Sequence, residues 1–107
     1  MTKEEFQIRV RPVNEFAGGS LNAEMDIAYE DLVNLLGEPN AETDGYKVDA
    51  EWMVEFDGEL FSIYNYKTGK NYNGSEGLDV EDIRDWHIGG KNKVKAAELV
   101  KLLQEVV

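Results

Sequence analysis

The chain reads as an α+β domain: a mainly antiparallel sheet of four to five strands with two helices packed on one face. Three observations carry that reading. Asp57-Gly58 stands between two alternating runs, and both residues tolerate the positive φ that a two-residue type I′ hairpin turn requires. Two earlier runs alternate apolar and polar residues in the same way. Two further stretches change to helical spacing.

Phe6, Ile8 and Val10 alternate with Gln7, Arg9 and Arg11, so residues 6–13 read as a strand that ends near Pro12. Leu21, Ala23, Met25 and Ile27 alternate with Asn22, Glu24 and Asp26, and Gly18-Gly19-Ser20 lies between the two runs. The expected unit is a hairpin that sets Arg9 and Arg11 near Glu24 and Asp26 on a solvent face. From Tyr29 to Leu36 the spacing of Tyr29, Leu32, Val33, Leu35 and Leu36 is helical. Glu30 and Asp31 suit the first turn, and Gly37 with Pro39 stops the helix.

The central hairpin runs from Tyr46 to Lys67. A two-residue turn fixes its register: Phe56 opposite Glu59, Val54 opposite Phe61 and Trp52 opposite Ile63 on an apolar face. The other face then pairs Glu51 with Tyr64, Asp49 with Tyr66 and Glu55 with Leu60. Beyond it, residues 68–77 are too rich in Gly and Asn for regular structure. Asp79 can cap a helical turn over residues 80–85, and Trp86-His87-Ile88 reads as a brief strand stopped by Gly89-Gly90. Those glycines imply a tight turn or a close backbone approach. Asn92 can cap a last helix whose stripe is Ala96, Leu99, Val100, Leu103, Val106 and Val107.

A length of 107 residues fits one domain spanning 1–107, and no apolar run reaches the 18 or more residues of a membrane span. With no cysteine there is no disulfide framework and no thiolate chemistry. The first residues lack the basic-then-apolar pattern of a secretory signal, so the expected location is the cytoplasm. Charge is the strongest compositional signal: 22 acidic against 11 basic residues give a formal −11. Between Glu24 and Glu59 stand twelve acids and one base, Lys47. Such a field repels phosphates, excluding direct nucleic-acid binding, and steers basic surfaces toward the chain.

Few constellations carry chemistry. His87, the one histidine, shares a strand face with Asp85, but no serine sits in a recognisable nucleophile elbow, so the chain is expected to be no enzyme. Asn71, Asn73, Ser75, Gly77, Asp79 and Asp82 alternate like the oxygens of a calcium loop. Glu76 stands where the sharp-turn glycine belongs, and Asp82 replaces the bidentate Glu. No cofactor or metal is expected from these patterns; a ligand- or metal-binding module centred on residues 71–82 is the alternative. What remains is surface. Carboxylates two apart on a strand recur about every 6.8 Å, and tyrosine supplies large contact area at low ordering cost. The expected partner-binding residues are therefore Asp49, Glu51, Glu55, Tyr64 and Tyr66, with Asp57 and Glu59 at the hairpin tip.

At Gly45-Tyr46-Lys47, Trp52, Phe56-Asp57-Gly58, Ile63-Tyr64-Asn65-Tyr66-Lys67 and Trp86-His87-Ile88-Gly89-Gly90 the chain resembles small acidic proteins encoded in tailed-phage genomes. In length, charge and absence of cysteine it is also similar to phage inhibitors of host defence, including anti-CRISPR proteins and DNA mimics. Leu35-Leu36-Gly37-Glu38-Pro39 leading into a Trp-bearing strand is similar to helix-to-strand joints of β-lactamase-inhibitor-like folds. These resemblances imply a non-enzymatic inhibitor that acts in the host cytoplasm on a host protein with a basic surface. Self-association through an open sheet edge is a further expectation.

Overall fold

Thr2 opens the first element, and that element is a helix. In the computed structural model, which describes residues 1–106, α1 spans Lys3–Arg9. The Thr2 hydroxyl accepts from the Glu5 amide at 3.2 Å while the Glu5 carboxylate accepts from Thr2, a reciprocal capping box. The strand expected over residues 6–13 shrinks to β1, Val10–Pro12. Phe6 and Val10, four apart, are both buried, whereas Ile8 is 76% exposed, as helical spacing and not alternation demands.

The expected hairpin between the first two runs is also absent. β1 and β2 (Ser20–Asp26) occupy opposite edges of a five-stranded antiparallel sheet ordered β1-β3-β4-β5-β2, with β3 Glu51–Phe56, β4 Glu59–Tyr64 and β5 Asp85–Gly90. Four inter-strand steps of about 4.8 Å separate the edges, and seven extended residues reach roughly 23 Å. Residues 13–19 are therefore long enough to cross from edge to edge, with bends at Asn14, Glu15 and Gly19. Gly19, at φ +86°, ends the crossing pressed against the Gly90 carbonyl, where a Cβ would overlap backbone. Arg9 and Arg11 find other partners than Glu24 and Asp26, as described below.

Helix α2, Tyr29–Leu36, has the expected limits and stops at Gly37, φ +84°. α4, Lys93–Val106, is capped as expected by Asn92, whose Oδ1 accepts from the Lys95 amide. Val107, expected at the end of its stripe, lies outside the described residues. Residues 70–82 are more regular than expected, with a short helix α3 (Lys70–Asn73) and two single 3₁₀ turns at Gly74–Glu76 and Val80–Asp82. Asp79 makes no side-chain cap; it pairs with Lys70 at 2.7 Å. Gly89 and Gly90 do not stop the last strand but belong to it, and the close approach is what they provide. A Cβ on Gly89 would lie 2.8 Å from Ser62 Oγ, and one on Gly90 would lie 2.7 Å from the Phe61 ring.

Phe6 of α1, Leu32 and Leu35 of α2 and Leu99 and Leu103 of α4 join Trp52, Val54, Phe56, Phe61, Ile63, Trp86 and Ile88 in one buried cluster. Three helices, one more than expected, thus cover one face of the sheet. Trp52 and Trp86 meet edge-on at 5.4 Å and Tyr29 packs on both. Neither indole is left unsatisfied: Trp52 Nε1 donates to the Gly37 carbonyl at 2.8 Å and Trp86 Nε1 to that of Ile27 at 3.0 Å. Among the described residues no helix is long and apolar enough to cross a membrane.

Candidate functional site

The face of the sheet turned away from the helices is built from the central hairpin outward. Asp57 and Gly58, at φ +50° and +84°, make the two-residue turn, and the register follows: Phe56 with Glu59, Val54 with Phe61, Trp52 with Ile63, Glu55 with Leu60 and Glu51 with Tyr64. β5 then adds His87 opposite Tyr64, and β2 adds Glu24 opposite His87. The result is a cross-sheet row, Glu51, Tyr64, His87, Glu24, contributed by four strands. Below it Met53, Ser62, Gly89 and Leu21 form a second row. Because Gly89 has no side chain, the Tyr64 ring lies down over that strand, 3.3 Å from where a Cβ would stand.

The row is chemically distinctive. His87, with its side chain 14% exposed, packs against Tyr64 edge-on at 5.6 Å and stacks on Tyr66 at 5.8 Å; its Nε2 lies 3.1 Å from Glu24 Oε1. Burial, followed by the charge of Asp44, raises the Glu51 carboxyl above its ordinary range. Burial likewise raises the Tyr64 phenol, with smaller contributions from Glu51 and Tyr66. Tyr66 continues the row into a second cluster in which Lys47 and Lys67 stand 5.9 and 5.2 Å from its ring centre. Lys67 also stands over Tyr72, which meets Tyr46 at 5.3 Å.

The seven residues expected to bind a partner therefore separate. Glu51, Tyr64 and Tyr66 lie together on the outer face. Glu55 lies on it too, but its carboxylate holds Arg11 at 2.7 Å. The tip acids turn the other way. Asp57 accepts from Arg9 at 2.8 Å and Lys95 at 2.7 Å, which brings its carboxyl down to about 2, and Glu59 accepts from the Asn92 side chain. These two pin the hairpin tip to α1 and α4.

Asp49 is not paired with Tyr66 in the ladder, because pairing ends at Glu51–Tyr64. There the side chain of the fully buried Asn65 replaces the backbone: its Oδ1 accepts from the amides of Asp49 and Ala50, and its Nδ2 donates to Asp49 Oδ1 and Thr68 Oγ1. Asp49 also accepts from the Asn71 amide. It anchors the 65–73 segment and presents no free carboxylate.

In the calcium-like alternation over residues 71–82, the side chains of Asn71, Asn73 and Asp79 already have partners within the protein. Asn71 Nδ2 donates to the Val48 carbonyl and Asn73 Nδ2 to those of Lys67 and Gly69, so these amides serve as clasps for the loop. Sequence reasoning missed Glu24, Tyr46, Lys47, Lys67 and Tyr72 as parts of the outer face. The aromatic spacing Tyr64, Tyr66 and Tyr72 was a visible hint; the pairing of β2 with β5, some sixty residues apart, was not. No family model, curated protein or solved structure matches the chain.

Proposed function

We propose that the chain is a non-enzymatic binding protein that uses its outer sheet face to occupy a basic surface on a partner protein. The observation that carries this reading is the row Glu51, Tyr64, His87, Glu24 running on into Tyr66: half-buried aromatic rings flanked by carboxylates on a rigid frame. Rings of this kind supply most of the affinity at protein interfaces. The surrounding anions, within a net −11, speed encounter with a cationic surface and repel nucleic acid. The resemblance to phage inhibitors makes the partner a host protein, of defence or of nucleic-acid binding, met in the host cytoplasm.

The binding residues under this reading are Glu24, Glu51, Tyr64 and Tyr66. Asp49, Asp57 and Glu59 hold the fold together, and Glu55 contributes at the margin through its pair with Arg11. Immobilised chain exposed to bacterial lysate at low and at high salt tests it, with Tyr66→Ala combined with Glu24→Lys as the comparison. A basic protein retained at low salt, weakened by added salt and lost on the double variant is expected. Identical retention by parent and variant would refute the assignment of this face.

A further inference from the structure

We propose that Glu24, Asp85 and His87 form a binding site for one divalent transition-metal ion of the zinc class. Glu24 and His87 are cross-strand partners on β2 and β5, and Asp85 lies two residues before His87, on the same face of the same strand. One ligand atom from each lies within 4.8 Å of the other two. A zinc ion sits about 2.0–2.2 Å from imidazole nitrogen and carboxylate oxygen, which sets its ligands roughly 3–4 Å apart. Glu24 Oε1 and His87 Nε2 already stand 3.1 Å apart, and rotation of the exposed Asp85 side chain supplies the remainder.

Two independent features favour a cation here. The first is charge. Neighbouring Asp26 is matched by Arg84 at 2.7 Å, and Asp57 at the hairpin tip is matched by Arg9 and Lys95. Glu24 and Asp85, by contrast, have no lysine or arginine within ion-pair distance among the described residues, so two carboxylates share a corner with only an imidazole between them. The second is rigidity. The His87 ring is held from two sides by Tyr64 and Tyr66, with Nε2 directed toward Glu24, so the nitrogen ligand is oriented before the ion arrives.

The donor set selects the metal. Imidazole suits zinc, copper, nickel and iron, whereas magnesium and calcium take oxygen alone; one nitrogen and two carboxylate oxygens therefore point to a borderline ion. Three protein ligands also leave a coordination position open toward solvent.

Because His87 is the chain's one histidine, its two carbon-bound ring protons give unambiguous NMR signals. Zinc titrated into the full chain is expected to bind one to one by calorimetry and to move those signals saturably at one equivalent. Asp85→Asn and His87→Gln are each expected to weaken binding at least tenfold, and calcium at the same concentration to leave the His87 signals in place. No uptake of zinc, uptake that leaves the His87 signals unmoved, or a calcium response equal to that of zinc would overturn the site. Should His87→Gln fail to fold, the ring signals of the parent chain and the exposed Asp85→Asn variant decide the question.

Discussion

Removing the side chain of Asn65 tests how the two halves of the outer face are joined. Asn65 is completely buried, and its Oδ1 accepts from the amides of Asp49 at 2.7 Å and Ala50 at 3.1 Å. In Asn65→Ala both amides lose their acceptor, and Ala50 is itself buried. A buried donor left without a partner costs about 1–3 kcal/mol. Two such donors, with some relief from water at the less buried Asp49, come to about 3–4 kcal/mol, a large part of the roughly 5–15 kcal/mol of a domain this size. Urea unfolding followed by the fluorescence of the buried Trp52 and Trp86 measures it. With a slope of about 1.3 kcal/mol per M the midpoint should fall by roughly 2–3 M. A fall below about 0.7 M would show that the joint does not depend on this amide. Asn65→Asp makes the complementary test. It keeps the acceptor but sets a carboxylate against Asp49 Oδ1, which Asn65 Nδ2 now approaches at 2.9 Å. Protonation restores a donor there, so the new carboxyl titrates above its unfolded value. The variant should recover stability as pH falls through that raised value, in full by about pH 4, and lose it as pH rises; the alanine variant should show no such recovery.

Three further outcomes follow from the packing and the charge partners. Ile8→Glu should change stability by less than about 0.5 kcal/mol while Phe6→Ala costs about 3–5 kcal/mol, since one points outward and the other is fully buried; comparable losses at both would restore the strand reading of residues 6–13. Asp57, with its carboxyl lowered to about 2 by hydrogen bonds from Arg9 and Lys95, contributes stability that is present above its unfolded pKa and lost as pH falls toward 2. Asp57→Asn, which keeps a residue tolerant of positive φ, should flatten the loss of melting temperature between pH 4 and pH 2, and an unchanged acid profile would refute the pairing. Glu51 is raised by burial and then by Asp44, so the folded state favours its protonated form and loses stability as pH climbs through its raised value. Glu51→Gln should therefore melt higher than the parent at pH 7 and level with it near pH 3; a lower melting point at pH 7 would contradict the burial.

What was legible in the sequence was local. Asp57-Gly58 specifies a turn whose length sets every pair from Phe56–Glu59 to Glu51–Tyr64, because a two-residue connection leaves no slack in register. The run from Tyr29 to Leu36 ends on a glycine at φ +84°, a backbone conformation that other residues rarely adopt, and Asn92 sits where α4 needs an acceptor. The N-terminal run misled because Phe6, Ile8 and Val10 satisfy alternation while Phe6 and Val10 also satisfy a helical face. Thr2 followed by Glu5 three residues later was the signal that separates the two. Asp49 and Tyr66 were extrapolated from the hairpin, and the extrapolation failed one residue past its end, where a side-chain amide takes over from the ladder. The β4–β5 and β2–β5 pairings leave no trace in sequence spacing, so the row that joins Tyr64 to His87 and Glu24 emerges only in three dimensions.

That row also locates the charge. At the hairpin tip Asp57 is matched by Arg9 and Lys95 and Glu55 by Arg11, so this end contributes little to the long-range field despite its acids. At the other end of the outer face Glu24 and Asp85, beside His87, have no lysine or arginine within ion-pair distance among the described residues, and a cationic partner would be drawn in there. A divalent ion on the same two carboxylates cancels two negative charges at that corner. Metal and basic partner then draw on one electrostatic resource, and reciprocity of coupling requires each to weaken the other's binding by the same factor. Zinc should therefore slow association of a captured partner at low salt and have little effect at high salt, where screening within about 10 Å or less has already removed the field. Glu24→Lys should abolish both the steering and the zinc sensitivity together. Partner binding that resists zinc yet disappears in Glu24→Lys would separate the two sites and leave Glu24 acting by direct contact.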